Sequence, residues 1–217
     1  MELMGWLASL PADNSVALEC GAGKGELAQY FTRKFQTAGA LDVKPYSSPN
    51  LCNPCFVESS ADDLPFENNS IDLITSMQSL HHFDVQKHIC EAERVLRKGG
   101  IFAALCWGHI QLPNWVEVAY REFFAAIAPY WECERPWVLS GYEGLVFKGE
   151  ALNLPATMMT RHVSMGELEL EFVRWGATQK AVAHGTDLPD PMLDNLGFEA
   201  PQLIEISWPV LGKIFRV

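Results

Sequence analysis

Between residues 15 and 26 the chain reads Ser-Val-Ala-Leu-Glu-Cys and then Gly21-Ala22-Gly23-Lys24-Gly25-Glu26. A short apolar run thus empties into alternate glycines. Glycine accepts a left-handed backbone and lets a ligand approach the main chain where a Cβ would intrude. Leu27, Phe31 and Phe35 follow at helical spacing. The segment reads as strand, tight turn and helix, which is how a parallel crossover begins.

The same alternation continues. Residues 39–43, 55–57, 71–76 and 101–106 are short apolar strand candidates. Val85, Ile89, Ala92 and Leu96 keep one helical face that is predicted to stop at Gly99-Gly100, with Arg97 and Lys98 in its last turn. Strands alternating with helices predict an α/β chain, a doubly wound sheet with ligand at the carboxyl ends of its strands. Further on, Val116, Ala119, Tyr120, Phe123, Phe124 and Ile127 form an apolar stripe, so residues 114–128 are predicted to be one helix packed on the core. Residues 156–165 and 203–217 have strand character, with a helix over 167–175 between them. One domain over residues 1–217 is expected, with 107–150 as an acceptor-side insertion and cap.

Composition narrows the function classes. Hydrophobic residues make up 48% and charged residues 20% of 217, which excludes an intrinsically disordered chain, and no apolar run reaches the length of a membrane span. Sixteen Lys and Arg against 27 Asp and Glu give a net charge of −11, contrary to what phosphate-tracking nucleic-acid binders need. An acid at Glu2, where a secretory leader carries basic residues, points to the cytoplasm. Six cysteines are too sparse for a disulfide scaffold. Cys20, Cys90, Cys106 and Cys133 stand in apolar or helical contexts, and Cys52-Asn53-Pro54-Cys55 lacks the second pair a structural zinc needs, so no metal is expected.

The acids near the glycine loop carry the chemistry. In a G-x-G-x-x-G dinucleotide loop the last position is glycine; here it is Glu26, which repels a pyrophosphate. Glu19, just before the loop, suits a ligand bearing an ammonium or sulfonium charge; the alternative is an acid serving the next helix terminus. Asp42 lies 23 residues after Glu19, near the offset at which an acid reaches ribose hydroxyls, the alternative being a solvated turn. Ser60-Ala61-Asp62-Asp63 offers an amide at Ala61 and a carboxylate at Asp62 to an adenine edge.

Taken in order, Ala17-Leu18-Glu19-Cys20-Gly21-Ala22-Gly23, Leu41-Asp42, Ala61-Asp62-Asp63-Leu64-Pro65-Phe66, Ser70-Ile71-Asp72-Leu73-Ile74 and Arg94-Val95-Leu96-Arg97-Lys98-Gly99-Gly100 resemble the motif series of class I S-adenosylmethionine-dependent methyltransferases. Gln78-Ser79-Leu80-His81-His82-Phe83-Asp84 is similar to the Q-x-x-H-W-F-D segment of the trans-aconitate methyltransferase-like branch (methyltransferase type 11), with His82 in place of Trp. Tyr130-Trp131, Arg135 and Gly141-Tyr142 echo its Y-W-x-x-x-R and G-Y segments. The resemblance implies a Rossmann-like seven-stranded sheet whose last strand is antiparallel. It also implies S-adenosylmethionine as cofactor and S-adenosylhomocysteine as product. Glu19, Gly21, Ala22 and Gly23 would hold the methionine moiety, Asp42 and Val43 the ribose side, Ser60, Ala61 and Asp62 the adenine, and Gln78 the region beside the sulfonium. Members usually carry a further N-terminal helical stretch that closes over the cofactor; here about fourteen residues precede the first strand, so that cover is expected to be missing or supplied otherwise.

Methyl transfer from a sulfonium is an in-line displacement that asks the protein chiefly to orient two partners. His81 is the candidate base where an acceptor must lose a proton; the alternative is that His81 and His82 shape the pocket. Trp131, Arg135 and Tyr142 are the candidate acceptor contacts, Arg135 as a bidentate partner for a carboxylate or, alternatively, in an ion pair with Glu132 or Glu134. The expected function is methyl transfer to a small acceptor, with no nucleic-acid or membrane partner and a homodimer left open. The alternatives are a cofactor-binding module without turnover, such as a sensor or dimer partner, a nicotinamide oxidoreductase, and methylation of RNA or protein.

Overall fold

The structure is a computed structural model and describes residues 2–44, 55–189 and 201–217. The first apolar runs form β1 (Val16–Cys20), β2 (Thr37–Asp42), β3 (Cys55–Glu58), β4 (Ile71–Met77) and β5 (Leu96–Trp107). β1 and β4 are buried along almost their whole length, as parallel strands covered on both faces must be. These five pair in parallel in the order β3-β2-β1-β4-β5. The last strand, β8 (Ile204–Arg216), inserts antiparallel between β5 and the short β6 (Glu150–Leu152). An eighth strand, β7 (Thr157–Val163), pairs with β8, so the sheet has one strand more than the seven expected.

Helices cover both faces because β residues alternate. Ala17, Leu73, Ile101 and Leu105 face a cluster with Leu3 and Leu7 of α1 (Glu2–Ala8) and Phe31 of α2 (Glu26–Phe31). Leu18, Ile74, Phe102 and Ala104 face the other way, onto Ile89, Ala92 and Val95 of α3 (Val85–Val95). The fold is therefore doubly wound, as the sequence predicted.

At the amino ends of the strands Asp72 is a buried anchor. Its Oδ2 accepts the N–H groups of Ser15 (3.0 Å) and Val16 (2.7 Å), and both oxygens meet one Arg97 nitrogen at 2.8 and 3.0 Å. This corrects the reading of Arg97 as a cation in the last helical turn. α3 ends at Val95, Leu96 is already extended, and β5 begins there.

The chain divides into two compact units, one of residues 1–107, 137–157 and 210–217, the other of residues 108–136 and 158–209. The segment 107–150, expected as an acceptor-side insertion and cap, is shared between the two units. Residues 137–157 go with the sheet, where Val138, Tyr142 and Phe147 are core side chains. The helix expected over 114–128 breaks at Tyr120 into α4 (Asn114–Ala119) and α5 (Arg121–Ile127). Its aromatic stripe forms a core within the second unit, with Tyr120 and Phe123 against Phe172 at ring distances of 5.1 and 5.8 Å. Two more helices complete this unit, α7 (Met165–Arg174), opened by a Ser164–Glu167 capping box, and α8 (Gly176–Ala183). Between the units in sequence lies α6 (Arg135–Leu139). Cys20 and Cys106 are buried as expected, but Cys90 and Cys133 are exposed; Cys52 lies outside the described residues. Among the described residues no helix is long and apolar enough to cross a membrane.

Candidate functional site

The order of the sheet reverses between β1 and β4, so the loops leaving them diverge and open a cleft at their carboxyl ends. Gly21, Gly23 and Gly25 all lie in the left-handed region, with φ of 70°, 51° and 72°. Gly21 and Ala22 donate their N–H groups to the Leu41 carbonyl at 2.8 and 3.0 Å, which ties the loop to the end of β2. The next residue continues the tie: Asp42 accepts the Gly23 N–H at 2.9 Å on one oxygen and the Lys44 N–H at 3.0 Å on the other. Asp42 is thus a fixed member of the loop, and each carboxylate oxygen keeps a further lone pair.

Glu19 sits below the same loop. Its Oε2 accepts the Ala28 N–H at 2.7 Å, so it does serve the α2 terminus, the alternative weighed from sequence. Burial raises its pKa to about 7; the Ala28 bond opposes this, and the charges of Glu26 and Asp42 add to it. A raised folded pKa means that the folded chain holds the proton more tightly. This group's contribution to stability therefore declines as pH rises from about 4.5 to about 7 and is constant above.

On the β4 side, Gln78 adopts a left-handed backbone (φ 56°), donates its N–H to Leu105 at 2.8 Å and accepts the Trp107 N–H on its side-chain oxygen at 2.9 Å. Ser79 donates its hydroxyl to the Cys20 carbonyl at 2.8 Å. The acidic loop is held by Arg94, which donates to the Leu64 and Phe66 carbonyls at 2.8 Å each and pairs with Glu91 at 2.6 Å. In that loop Asp62 donates its N–H to Ser60 Oγ at 3.2 Å, while its own buried Oδ1 has no partner among the described residues. A buried acceptor without a donor costs free energy.

These residues line two crevices. One, of about 340 Å³, is bounded by Gly21, Leu41, Asp42, Val43, Ser59, Ser60, Ala61, Asp62, Gln78, Ser79, His82 and Phe83. The other, of about 490 Å³, is bounded by Met4, Glu19, Ala22, Lys24, Glu26, Leu27, Tyr30, Met77 and Trp107. Successive residues of the glycine loop, Gly21 and Ala22, face one crevice each, as do Met77 and Gln78. Both crevices thus take in residues at the ends of β1 and β4.

Nearly all the predicted cofactor residues are brought together here, Gly23 through its bond to Asp42 rather than as lining. The sequence reading missed Met4. The spacing of Leu3 and Leu7 was the available sign of a helix that packs on the sheet and brings Met4 to the second crevice. His82 lines the first crevice, whereas His81 Nδ1 lies 3.2 Å from the Tyr142 hydroxyl. Tyr142 is buried whole, so it supports His81 and presents no ring face to an acceptor. Tyr142 sits beside Cys106, whose thiol burial pushes up to about 12. In the second unit, the Arg135 guanidinium lies 3.5 Å from the centre of the Trp131 ring, and burial lowers its pKa. Glu132 pairs with Lys180 at 3.1 Å.

Residues 18–104, which carry the glycine loop, Asp42, the acidic loop and Gln78, match the family described as "Methyltransferase domain". This segment is similar to a methyltransferase domain. The domain is 34% identical over 105 residues to a Mycobacterium ulcerans protein provisionally named phthiotriol/phenolphthiotriol dimycocerosates methyltransferase 2, an alignment covering 44% of this chain and 40% of that one. It is 43% identical over 75 residues to the ubiquinone/menaquinone biosynthesis C-methyltransferase UbiE of Brucella canis, covering 33% and 27%. The chain thus spans less than half the length of these curated relatives. A solved structure from Anaeromyxobacter dehalogenans, provisionally described as a type II methyltransferase, superposes with a TM-score of 0.84 at 24% identity, covering 99% of this chain and 95% of that one. That likeness concerns the fold of the chain as a whole.

Proposed function

We propose that the chain binds S-adenosylmethionine across the two crevices and transfers its methyl group to a small acceptor bearing a carboxylate. The observation that carries the cofactor reading is the set of acids lining the two crevices beside the glycine loop, in a segment that matches methyltransferase domains. Asp62, with an unpartnered oxygen, and Asp42 line the first crevice, and Glu19 lines the second. When bound, the cofactor supplies a methyl group already activated on a positively charged sulfur. The Asp42 carboxylate accepts from the ribose hydroxyls, Asp62 from the adenine amine, and Glu19 pairs with the methionine ammonium. Val43 and Leu41 cover the purine side, and Gln78, pinned between β4 and β5, orients the reacting end. A carboxylate acceptor is already ionised at neutral pH, so its methylation needs orientation and no base. His81, held by Tyr142, takes a proton where the acceptor is a phenol. Arg135 supports the carboxylate reading, because a desolvated guanidinium stacked on Trp131 is pre-oriented for a bidentate anion.

Calorimetry with S-adenosylhomocysteine tests the cofactor, with binding in the micromolar range expected and no heat as the outcome that sinks the reading. Turnover of S-adenosylmethionine with a panel of carboxylic acids, their amides and phenols tests the acceptor. Acids should react and amides should not. Phenols belong on the panel because relatives are named for methylation of phenolphthiotriol lipids and for quinone biosynthesis. A phenol turned over in preference to every acid overturns the carboxylate reading.

Glu19 adds a pH signature. A cation beside it favours the ionised form, so affinity should rise about tenfold between pH 6 and pH 8, the range that brackets its pKa of about 7. The free chain should release protons on binding, read from calorimetry in buffers of different ionisation enthalpy. Glu19→Gln should weaken binding at pH 8 and flatten the profile.

A further inference from the structure

We propose that His88 is a positioning residue that sets the adenine end of the crevice and makes it select a 6-amino over a 6-oxo purine; this rests on the cofactor reading above. His88 has no exposed surface although it is an imidazole on a helix. It occupies the inward stripe of α3 with Ile89, Ala92 and Val95. Its Nδ1 lies 2.9 Å from the Ala61 carbonyl oxygen and its Nε2 lies 3.4 Å from the Ser76 hydroxyl on β4. Rings of Phe83 and Phe102 pack on it at 4.9 and 5.7 Å.

Chemistry then fixes the tautomer. Burial lowers the pKa of His88, though the Ala61 bond and the charges of Asp62 and Glu91 oppose this, so the ring is neutral at pH 7 with one N–H. A carbonyl oxygen can only accept, so Nδ1 carries the hydrogen and Nε2 accepts from the Ser76 hydroxyl. The result is a chain from β4 through the ring to the backbone of the acidic loop. It fixes the peptide that joins Ala61 to Asp62 and so the carboxylate whose Oδ1 waits without a donor. A 6-amino group supplies that donor; a 6-oxo group turns a second acceptor toward it. Within the loop Asp62 N–H meets Ser60 Oγ and the Ser59 hydroxyl meets the Asp63 carbonyl, while Arg94 and Glu91 hold Leu64 and Phe66; among the described residues it is His88 that reaches the Ala61 carbonyl from outside the loop.

The test compares binding of S-adenosylhomocysteine and S-inosylhomocysteine to the unmodified protein, His88→Leu and His88→Asn. The Asn amide nitrogen replaces Nδ1 as donor to Ala61. The unmodified protein should prefer the adenosyl ligand. His88→Leu should lose about tenfold of the adenosyl affinity with little change for the inosyl ligand, one charge-directing hydrogen bond being worth roughly that factor. His88→Asn should restore the preference. Equal loss for both ligands, or an unchanged ratio, overturns the proposal and leaves the cofactor reading standing. Failure of the unmodified protein to bind either ligand overturns both. Because a buried substitution can prevent folding, nitrogen-15 histidine spectra of the unmodified protein give a second reading. One ring that is neutral at pH 7 and protonated at Nδ1 is expected, and an Nε2-protonated His88 overturns the assignment.

Discussion

Asp72→Ala is expected to destabilise the chain by roughly 3–5 kcal/mol, the cost of removing one partner from a buried ionic group. The side chain satisfies two backbone N–H groups at the start of β1 and also holds Arg97, which donates a further bond to the Asn69 carbonyl at 3.2 Å. Alanine strands all of these at once, at a buried carboxylate whose partners are half-buried. Arg97→Ala removes less, because Asp72 keeps both of its backbone donors and the lost guanidinium is partly solvated. A loss of about 1–2 kcal/mol is expected there. Urea unfolding at pH 7 measures both, and equal effects for the two variants would contradict the account. The anchor lies at the amino ends of the strands, and the crevices at the carboxyl ends. Folded Asp72→Ala at low temperature should therefore bind S-adenosylhomocysteine within a factor of two or three of the unmodified protein, separating stability from site geometry.

Those carboxyl ends were the most legible part of the sequence, for a physical reason. Strands buried on both faces must be continuous apolar runs, and a chain turning sharply out of one needs glycine, so β1, β4 and the loop at Gly21 are written in residue types with few other uses. Asp42 and Asp62 were singled out because a ribose and an adenine would need acceptors at fixed offsets along such a sheet. The second half was less legible because periodicity tells which face of a helix is apolar and not what will cover it. Val116, Phe123 and Ile127 were read as one helix packed on the core, yet the helix breaks at Tyr120 and Phe123 packs on Phe172 within a separate unit. Tyr142 was assigned to an acceptor from a two-residue echo, and burial of its ring is invisible at that length. His88 had a sign that went unread: it falls three residues after Val85 and four before Ala92, on the apolar stripe, where a polar residue is kept only if something buried needs it.

Gly21→Ala is expected to weaken S-adenosylhomocysteine binding by at least about a hundredfold and to lower stability by roughly 3 kcal/mol, from two costs that add. A left-handed alanine is strained by roughly 1–2 kcal/mol, and at Gly21 its Cβ would stand 2.4 Å from Ser79 Cβ and 2.8 Å from Ser79 Oγ. Ser79 cannot swing aside freely, because its hydroxyl is bonded to the Cys20 carbonyl. Relief must come from moving the glycine loop away from β4, and that motion pulls on the Leu41 carbonyl that receives the Gly21 and Ala22 N–H groups. Ser79 and Asp42 both bound the first crevice, so the displacement changes its width where the ribose is to lie. Gly23→Ala is the matched control. Gly23 has nearly the same backbone sign, at φ 51°, but nothing lies within 4 Å of the added methyl group. It should bear the strain alone, about 1–2 kcal/mol, and keep the bond from its N–H to Asp42. Thermal melts and calorimetry on the pair decide the matter: similar losses of stability in both variants would mean that left-handed strain, and not the contact with Ser79, is what requires glycine at position 21.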